Sequence, residues 1–208
     1  MSTPRAFADA ADTWNRRYAG EDFLFGTEPN AWLREHAGAL PAGGRILSVA
    51  DGEGRNSVWL ARQGFQVDAF DIAERAVEKA QAFARRAGVS VNFALADVDG
   101  FAWPEAAYDG VAAIFVQFAD PDTRARLFDR MVRALKPGGV LILQGYTPKQ
   151  LDHGTGGPPI LSHLYTRDLL ESAFPALTVI TLRAYEAEVR EGQGHNGMSA
   201  LIGLVARR

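Results

Sequence analysis

Residues Arg45–Asp71 read RILSVADGEGRNSVWLARQGFQVDAFD: a strand, a glycine turn, a helix, and a second strand ending in an acid. Ile46, Leu47 and Val49 form a short apolar run suited to a strand covered on both faces. Gly52 and Gly54 let the backbone turn sharply and approach a ligand with no Cβ in the way. A helix is expected from about Asn56, ending at Gly64 as its C-terminal cap. Its free N–H groups would point at whatever lies over the turn. Asp71 follows at the tip of the second strand, where an acid can accept from both hydroxyls of a ribose. The segment reads as a cradle for a nucleoside-bearing cofactor.

Outward from this unit the alternation continues. The helix Ala73–Ala87 carries Ala76, Val77, Ala80, Phe83, Ala84 and Ala87 on one stripe, with Gly88 past its end. Strand Val91–Ala96 ends at Asp97, and strand Gly110–Phe115 follows. Asp120-Pro121 reads as an N-cap and first helical residue of a helix running to about Leu135. Lys136-Pro137-Gly138-Gly139 reads as a turn into strand Val140–Gln144. Then comes a long loop, Gly145–Ser162, and a short helix, Arg167–Ala173. Two strand-like runs follow, Leu177–Val189 and Ser199–Ala206, joined by Arg190–Met198. Consecutive strands with no helix between them pair antiparallel or lie in different sheets. The expected fold class is therefore α/β: a Rossmann-like doubly wound sheet, mostly parallel, with one reversed strand near the C-terminus and helices on both faces. Before the first strand, helical patterns cover Arg5–Ala19, with Phe7, Trp14 and Tyr18, and Pro29–Ala37.

The 208 residues are 47% apolar and 23% charged, enough for a real core and against disorder. A net charge of −3 argues against a nucleic-acid partner. No apolar run approaches the roughly 20 residues that cross a bilayer. The first residues, MSTPRAFADAAD, show no apolar leader. No cysteine is present, which removes thiolate chemistry, and four histidines without helical pairing suggest no metal site. The expectation is a cytoplasmic protein without membrane or nucleic-acid partners, organised as one domain over residues 1–208 with residues 1–40 as a helical cap.

With these motifs in view, the chain resembles the class I S-adenosylmethionine-dependent methyltransferases from about Trp14 to its end. The family's glycine motif matches SVADGEGRN, its strand-tip acids match Asp71 and Asp97, and its turn before strand five matches ALKPGG at Ala134–Gly139. The N-terminal WNRRYAGEDFLFGTEPNAWL resembles the cap of a small-molecule subgroup, the tellurite- and thiopurine-type methyltransferases. The resemblance implies a seven-stranded sheet in the order 3-2-1-4-5-7-6 and S-adenosyl-L-methionine as cofactor. It implies that Ala50, Asp51, Gly52 and Gly54 run under the methionine part and ribose, with Asn56 also among the cofactor-binding residues. Asp71 would take the ribose hydroxyls, Ile72 would face the adenine, and Asp97 and Val98 would meet its polar edge. Phe115 and Gln117 would sit near the sulfonium and the acceptor, while Tyr18, Phe25 and Gly26 close over the cofactor. Two positions depart from the pattern: Ser48 stands where the family usually has an acid, and Ala50 where it has glycine.

Topology places the acceptor outside the carboxyl ends of the strands. The cap, Gln117–Asp122, Gly145–Ser162 and Val189–Gly197 are expected to converge there. His195 and Gln117 are the candidate catalytic residues. Lys149, His153 and His163 are further candidates to face the pocket. The implied reaction is in-line displacement of the methyl group onto a small-molecule acceptor. Simpler readings stand beside these: Asp71 as a cap of the helix at Ala73, Asp97 as a loop acid, Asn56 as a helix-start residue, and Trp14, Tyr18 and Phe25 as core. Trp59 and Trp103 are assigned to packing. Gly52, Gly54 and Ser57 also give a loose match to a nicotinamide-dependent oxidoreductase. The altered Ser48 and Ala50 leave open a non-catalytic cofactor-binding module.

Overall fold

A computed structural model of the chain describes residues 5–208, with side chains from Ala10 onward. Residues 1–4 of the expected cap and the Phe7 side chain lie outside the described parts. Helix α1 is Arg5–Arg17 and α2 is Ala31–His36. The Arg45–Asp71 stretch forms β1 (Arg45–Val49), α3 (Arg55–Arg62) and β2 (Gln66–Asp71). Next come α4 (Glu74–Ala87), β3 (Asn92–Leu95), β4 (Tyr108–Ile114), α5 (Pro121–Ala134) and β5 (Leu135–Tyr146). Short α6 (Gln150–His153), then α7 (Arg167–Ala173), lead to the strands β6 (Thr178–Glu191) and β7 (His195–Arg207).

The seven strands form one sheet in the order β3-β2-β1-β4-β5-β7-β6. All neighbours from β3 to β5 pair in parallel. Strand β7 is antiparallel to both β5 and β6, so β6 runs with the parallel set and delivers its end to the same sheet edge. Both sheet faces are covered. On one, Leu47, Val111, Leu141 and Leu204 pack against Leu127 and Met131 of α5 and Leu170 of α7. On the other, Ile46, Ala112, Ile142 and Val205 meet Trp32 and Leu33 of α2 and Leu60 of α3. Helix α4 joins α3 through Val58, Phe83 and Ala84. Each such fully buried aliphatic chain is worth about 1.5–3 kcal/mol, which is why near-continuous apolar strands sit at the centre.

Local signals act as their chemistry requires. The Asp120 carboxylate accepts the Thr123 N–H at 2.8 Å, with Pro121 opening α5. Gly88 closes α4 in the left-handed conformation. Three boundaries differ from the sequence reading. Lys136–Gly139 is not a separate turn. It lies inside β5 as an irregularity, where Tyr108 pairs Leu135 and the register shifts before Gly110 pairs Val140. Within Gly145–Ser162, residues Gln150–His153 wind into α6. The expected loop Arg190–Met198 shrinks to Gly192–Gly194, because Glu191 and His195 form the last rung of the β6–β7 ladder. Charges along this edge pair, such as Arg190 and Glu188, hide its strand character.

Candidate functional site

The carboxyl ends of β1, β2, β3 and β4 open onto a cavity of about 260 Å3. The turn after β1 forms its floor. Ala50 takes φ 48° and Gly52 φ 63°, both left-handed. Alanine pays roughly 1–2 kcal/mol for that conformation, so the position carries strain where the motif usually has glycine. Phe115, at the end of β4, is left-handed too, with φ 57°. Strain thus sits at the tips of the two central strands, both on the cavity wall. A Cβ on Gly52 would lie 3.0 Å from the Tyr18 hydroxyl, so the glycine keeps the floor open beneath the cap. Gly54 has a different job. Its absent Cβ faces Ala80 at 2.8 Å, so it allows α3 and α4 to pack closely and does not admit a ligand.

Asp71 ties β2 to this floor. One carboxylate oxygen accepts the Gly52 N–H and the other the Ala73 N–H, both at 2.9 Å. It caps the approach to α4 and still lines the cavity. Burial raises its pKa against the pull of those amides. Asp51 accepts from the Ser48 hydroxyl at 2.6 Å and from the Ser57 hydroxyl. Burial pushes it up to about 6 while the two serines draw it back. Ser48, where an acid was expected, therefore delivers a proton donor to an acid three residues on. Asp97 uses one oxygen to receive the Asp99 and Gly100 N–H groups at 2.9 and 2.6 Å.

The cavity gathers Tyr18, Phe25, Ala50, Asp51, Gly52, Asn56, Asp71, Ile72, Asp97, Val98, Phe115 and His195. Gly26 and Gln117 fall outside it. Gly26 turns beside Gly192 on the wall of a neighbouring cavity of about 440 Å3. Gln117 is buried and spent on backbone: its amide donates to the Tyr146 and His163 carbonyls and accepts the Tyr146 N–H at 2.6 Å. It clamps the loops after β4 and β5 and does not face the cavity. Lys149 and His153 both turn to Glu186, at 2.6 and 3.0 Å, and the His163 ring meets the Gln117 carbonyl. None of these three lines the cavity, nor does any residue of Gly145–Ser162. Gly156 and Gly157 of that segment instead pack behind Tyr146.

His195 begins β7 and lies 4.4 Å from the Phe25 ring and 4.5 Å from the Phe115 ring. Its Nδ1 faces Glu191 at 3.4 Å. Burial lowers its pKa despite that carboxylate, favouring the neutral ring with Nδ1–H toward Glu191 and Nε2 free. Glu191 pairs with Arg55 at 2.7 Å. Burial alone would raise Glu191, but His195 and Arg55 hold it down to about 2. Asn30 Nδ2 donates to Gln144 and Glu191 at 2.6 and 3.0 Å, and its backbone N–H donates to Asn56 Oδ1 at 2.9 Å.

Sequence reading missed the groups that hold the cap down. Glu53 accepts the Leu24 N–H at 2.7 Å and pairs with Lys79 at 2.6 Å. Lys79 also reaches the Gly20 and Asp22 carbonyls. The Leu24 carbonyl receives the Gln193 and Gly194 N–H groups at 2.9 and 3.0 Å. Glu53 and Arg55 stood in the glycine motif, where charge beside glycine suggests solvent; their burial was the lost signal. Glu191 and Lys79 gave none.

A family model described as a methyltransferase domain matches residues 46–139, the floor and the strand-tip acids included. Over that stretch the chain is similar to methyltransferase domains. A ubiquinone biosynthesis O-methyltransferase of Xanthomonas axonopodis pv. citri is 36% identical over 138 residues, 66% of this chain and 57% of that protein. With a Mycobacterium bovis relative matched over 40% of its length, the chain spans about half the length of such curated relatives. Among solved structures, one from work on converting a disulfide bond into a thioacetal group during echinomycin biosynthesis aligns with a TM-score of 0.77 at 19% identity, covering 95% of this chain and 91% of that one. The Burkholderia thailandensis 1,6-didemethyltoxoflavin-N1-methyltransferase, with bound 1,6-didemethyltoxoflavin and S-adenosylhomocysteine, aligns with a TM-score of 0.69 at 19% identity, covering 100% and 91%. These two likenesses concern the fold alone. Among the described residues, no helix is long and apolar enough to cross a membrane.

Proposed function

We propose that this chain transfers the methyl group of S-adenosylmethionine to a small-molecule acceptor by in-line displacement. The observation that carries the reading is the Asp71–Gly52 interlock on the cavity floor, with Asp97 on the neighbouring strand. The residues present fit the cofactor. Gly52 leaves the space a Cβ would fill, and Asp71 keeps lone pairs for hydroxyl donors after binding two amides. Ile72 and Val98 offer an apolar wall for a flat base. When bound, the cofactor supplies an electrophilic methyl group on a sulfonium.

The chain's own part is alignment and exclusion of water. Trp14 stacks on Tyr18 and Phe25 meets Tyr18 edge-on, so the three rings cover the floor as an aromatic lid. Holding two reactants in line is worth as much as roughly 7–11 kcal/mol in favourable systems. His195, neutral and with Nε2 free, is suited to accept a proton from an acceptor that needs one removed. The relative and the neighbour named above carry small-molecule methyltransferase names, which supports an acceptor of that size. The cap bonds through Leu24 and Lys79 support treating the chain as one domain with residues 1–40 as its cap.

The test is calorimetry of S-adenosylhomocysteine binding, followed by a screen of phenols, amines, thiols and oxyanions with methyl-labelled cofactor. Binding with label transfer to one class is the expected result. Absence of binding overturns the cofactor reading; binding without transfer to any class favours a holding module.

A further inference from the structure

We infer that the neighbouring cavity of about 440 Å3 is a binding site of its own, taking a flat, neutral molecule whose carbonyl oxygen accepts from the Tyr185 hydroxyl. It lies among α2, the end of β5 and the outer strands β6 and β7, and shares the Phe25 and Phe115 rings with the cavity over the glycine floor.

The direction of each hydrogen bond on its wall is fixed from one end. Asn30 Oδ1 accepts the Leu33 N–H at 3.1 Å as the N-cap of α2. Asn30 Nδ2 is then the group that faces Glu191, whose carboxylate can only accept. The same Nδ2 donates to Gln144 Oε1 at 2.6 Å. That turns Gln144 Nε2 toward Tyr185, whose hydroxyl oxygen accepts it at 2.6 Å. Asn30 and Gln144 are buried, so the order is set before any ligand arrives. The phenol proton is left over, and no acceptor meets it among the described residues. Burial raises the phenol's pKa against the pull of Arg183 and Gln144, so the proton stays on. A donor on a cavity wall is completed only by an acceptor.

The rest of the wall narrows the class. Its charges are largely matched already: Glu35 lies 3.6 Å from Arg183, Glu188 pairs with Arg190 at 2.9 Å, and Glu191 with Arg55 at 2.7 Å. Arg34 and Glu28 add one charge of each sign. An ion brought here would lose water without gaining a partner of its own, whereas a neutral ligand would not. Phe25, Phe115, Trp32 and Tyr185 supply rings, with Tyr185 stacked on Trp32 at 5.9 Å and 24°. Flat molecules bury most area against such faces. Glu191 lines this cavity and His195 the other, so their contact and the two shared phenylalanines stand between them. The occupant is therefore expected beside S-adenosylhomocysteine and not in its place.

The test uses fluorine NMR with two probes, 4-fluoroacetophenone and 1-ethyl-4-fluorobenzene, which lacks the oxygen. Each is titrated into the full chain and into Tyr185→Phe. The wild type is expected to bind the ketone about threefold to tenfold more tightly, the worth of one neutral hydrogen bond, with or without saturating S-adenosylhomocysteine. Tyr185→Phe should bring the two probes within about twofold by weakening the ketone alone, with S-adenosylhomocysteine affinity unchanged. Equal binding of both probes by the wild type, or binding of neither, overturns the proposal. So does a ketone preference that survives in Tyr185→Phe, or a ketone that S-adenosylhomocysteine displaces. Loss of both probes alike in the variant would mark a packing role and overturn the donor assignment. Should the variant not fold, the wild-type ratio and the displacement result decide. A chain that takes no S-adenosylhomocysteine sinks the cofactor reading and leaves the ketone comparison to decide this site.

Discussion

Asp71 Oδ2 accepts the backbone N–H of Gly52 at 2.9 Å, joining the tip of β2 to the turn after β1. One side chain therefore shapes the floor and faces the cavity above it. Asp71→Ala is expected to weaken S-adenosylhomocysteine binding by about 1–3 kcal/mol and also to lower the urea midpoint, because two amides lose their acceptor. Unchanged affinity in calorimetry would refute the ribose role and leave only the structural one.

Asp51 is expected to impose a pH step on stability. Its folded pKa is about 6 against an ordinary 3.8. A raised folded pKa adds stability that is complete below 3.8 and is lost as pH climbs through 6. The loss is about 2–3 kcal/mol, at roughly 1.4 kcal/mol per pKa unit. Urea unfolding of wild type and Asp51→Asn at pH 4 and pH 7 should show the variant gaining relative to wild type at the higher pH. Parallel curves would contradict it.

Gln117 gives the opposite signature to a catalytic residue. Gln117→Ala leaves the Tyr146 amide and carbonyl and the His163 carbonyl without their partner. A loss of about 2–3 kcal/mol in unfolding free energy is expected, with S-adenosylhomocysteine affinity little changed in the folded fraction. Normal stability with lost transfer would restore it to the active site.

His195 should affect transfer through its free nitrogen. With its pKa below the ordinary histidine value, the ring stays neutral through pH 7 and gains a proton only in more acid solution. For an acceptor that must lose a proton, kcat is expected to hold level above neutrality and fall on acidification. His195→Gln should remove that acid limb and lower kcat by about 10²–10⁴-fold. An identical limb in the variant would assign it to another group.

Ala50 offers a test of the strained floor. At φ 48°, relief of left-handed strain should outweigh glycine's added unfolded-state entropy. Ala50→Gly is therefore expected to be neutral or stabilising by up to about 1 kcal/mol. A fall in the urea midpoint would show that the alanine methyl contributes packing of its own.

The parallel half of the fold was legible because its signals are local. Apolar runs, caps and glycine stops each act within one turn or strand, and Asp120, Gly88 and Arg167–Ala173 sit where their chemistry predicts. The β6–β7 hairpin was misjudged in length because its outer rungs are polar, and Glu191 pairs His195 across only three residues. At the site, residues on the strand tips were readable from topology. Gln117 was not, since position after β4 says nothing about which way an amide turns. Arg55 and Glu191 lie 136 residues apart. Nothing short of the folded sheet reveals that one buried charge answers the other.

Leu24 is bonded on both sides, to Glu53 through its N–H and to Gln193 and Gly194 through its carbonyl. The segment over the floor cannot lift without breaking all three bonds, so unlatching is a small cooperative unfolding event. Product would then escape at the tempo of that opening, and the backbone amides of Leu24 and Gly194 should trade hydrogen for deuterium with one common rate, slowed together when the hollow is filled.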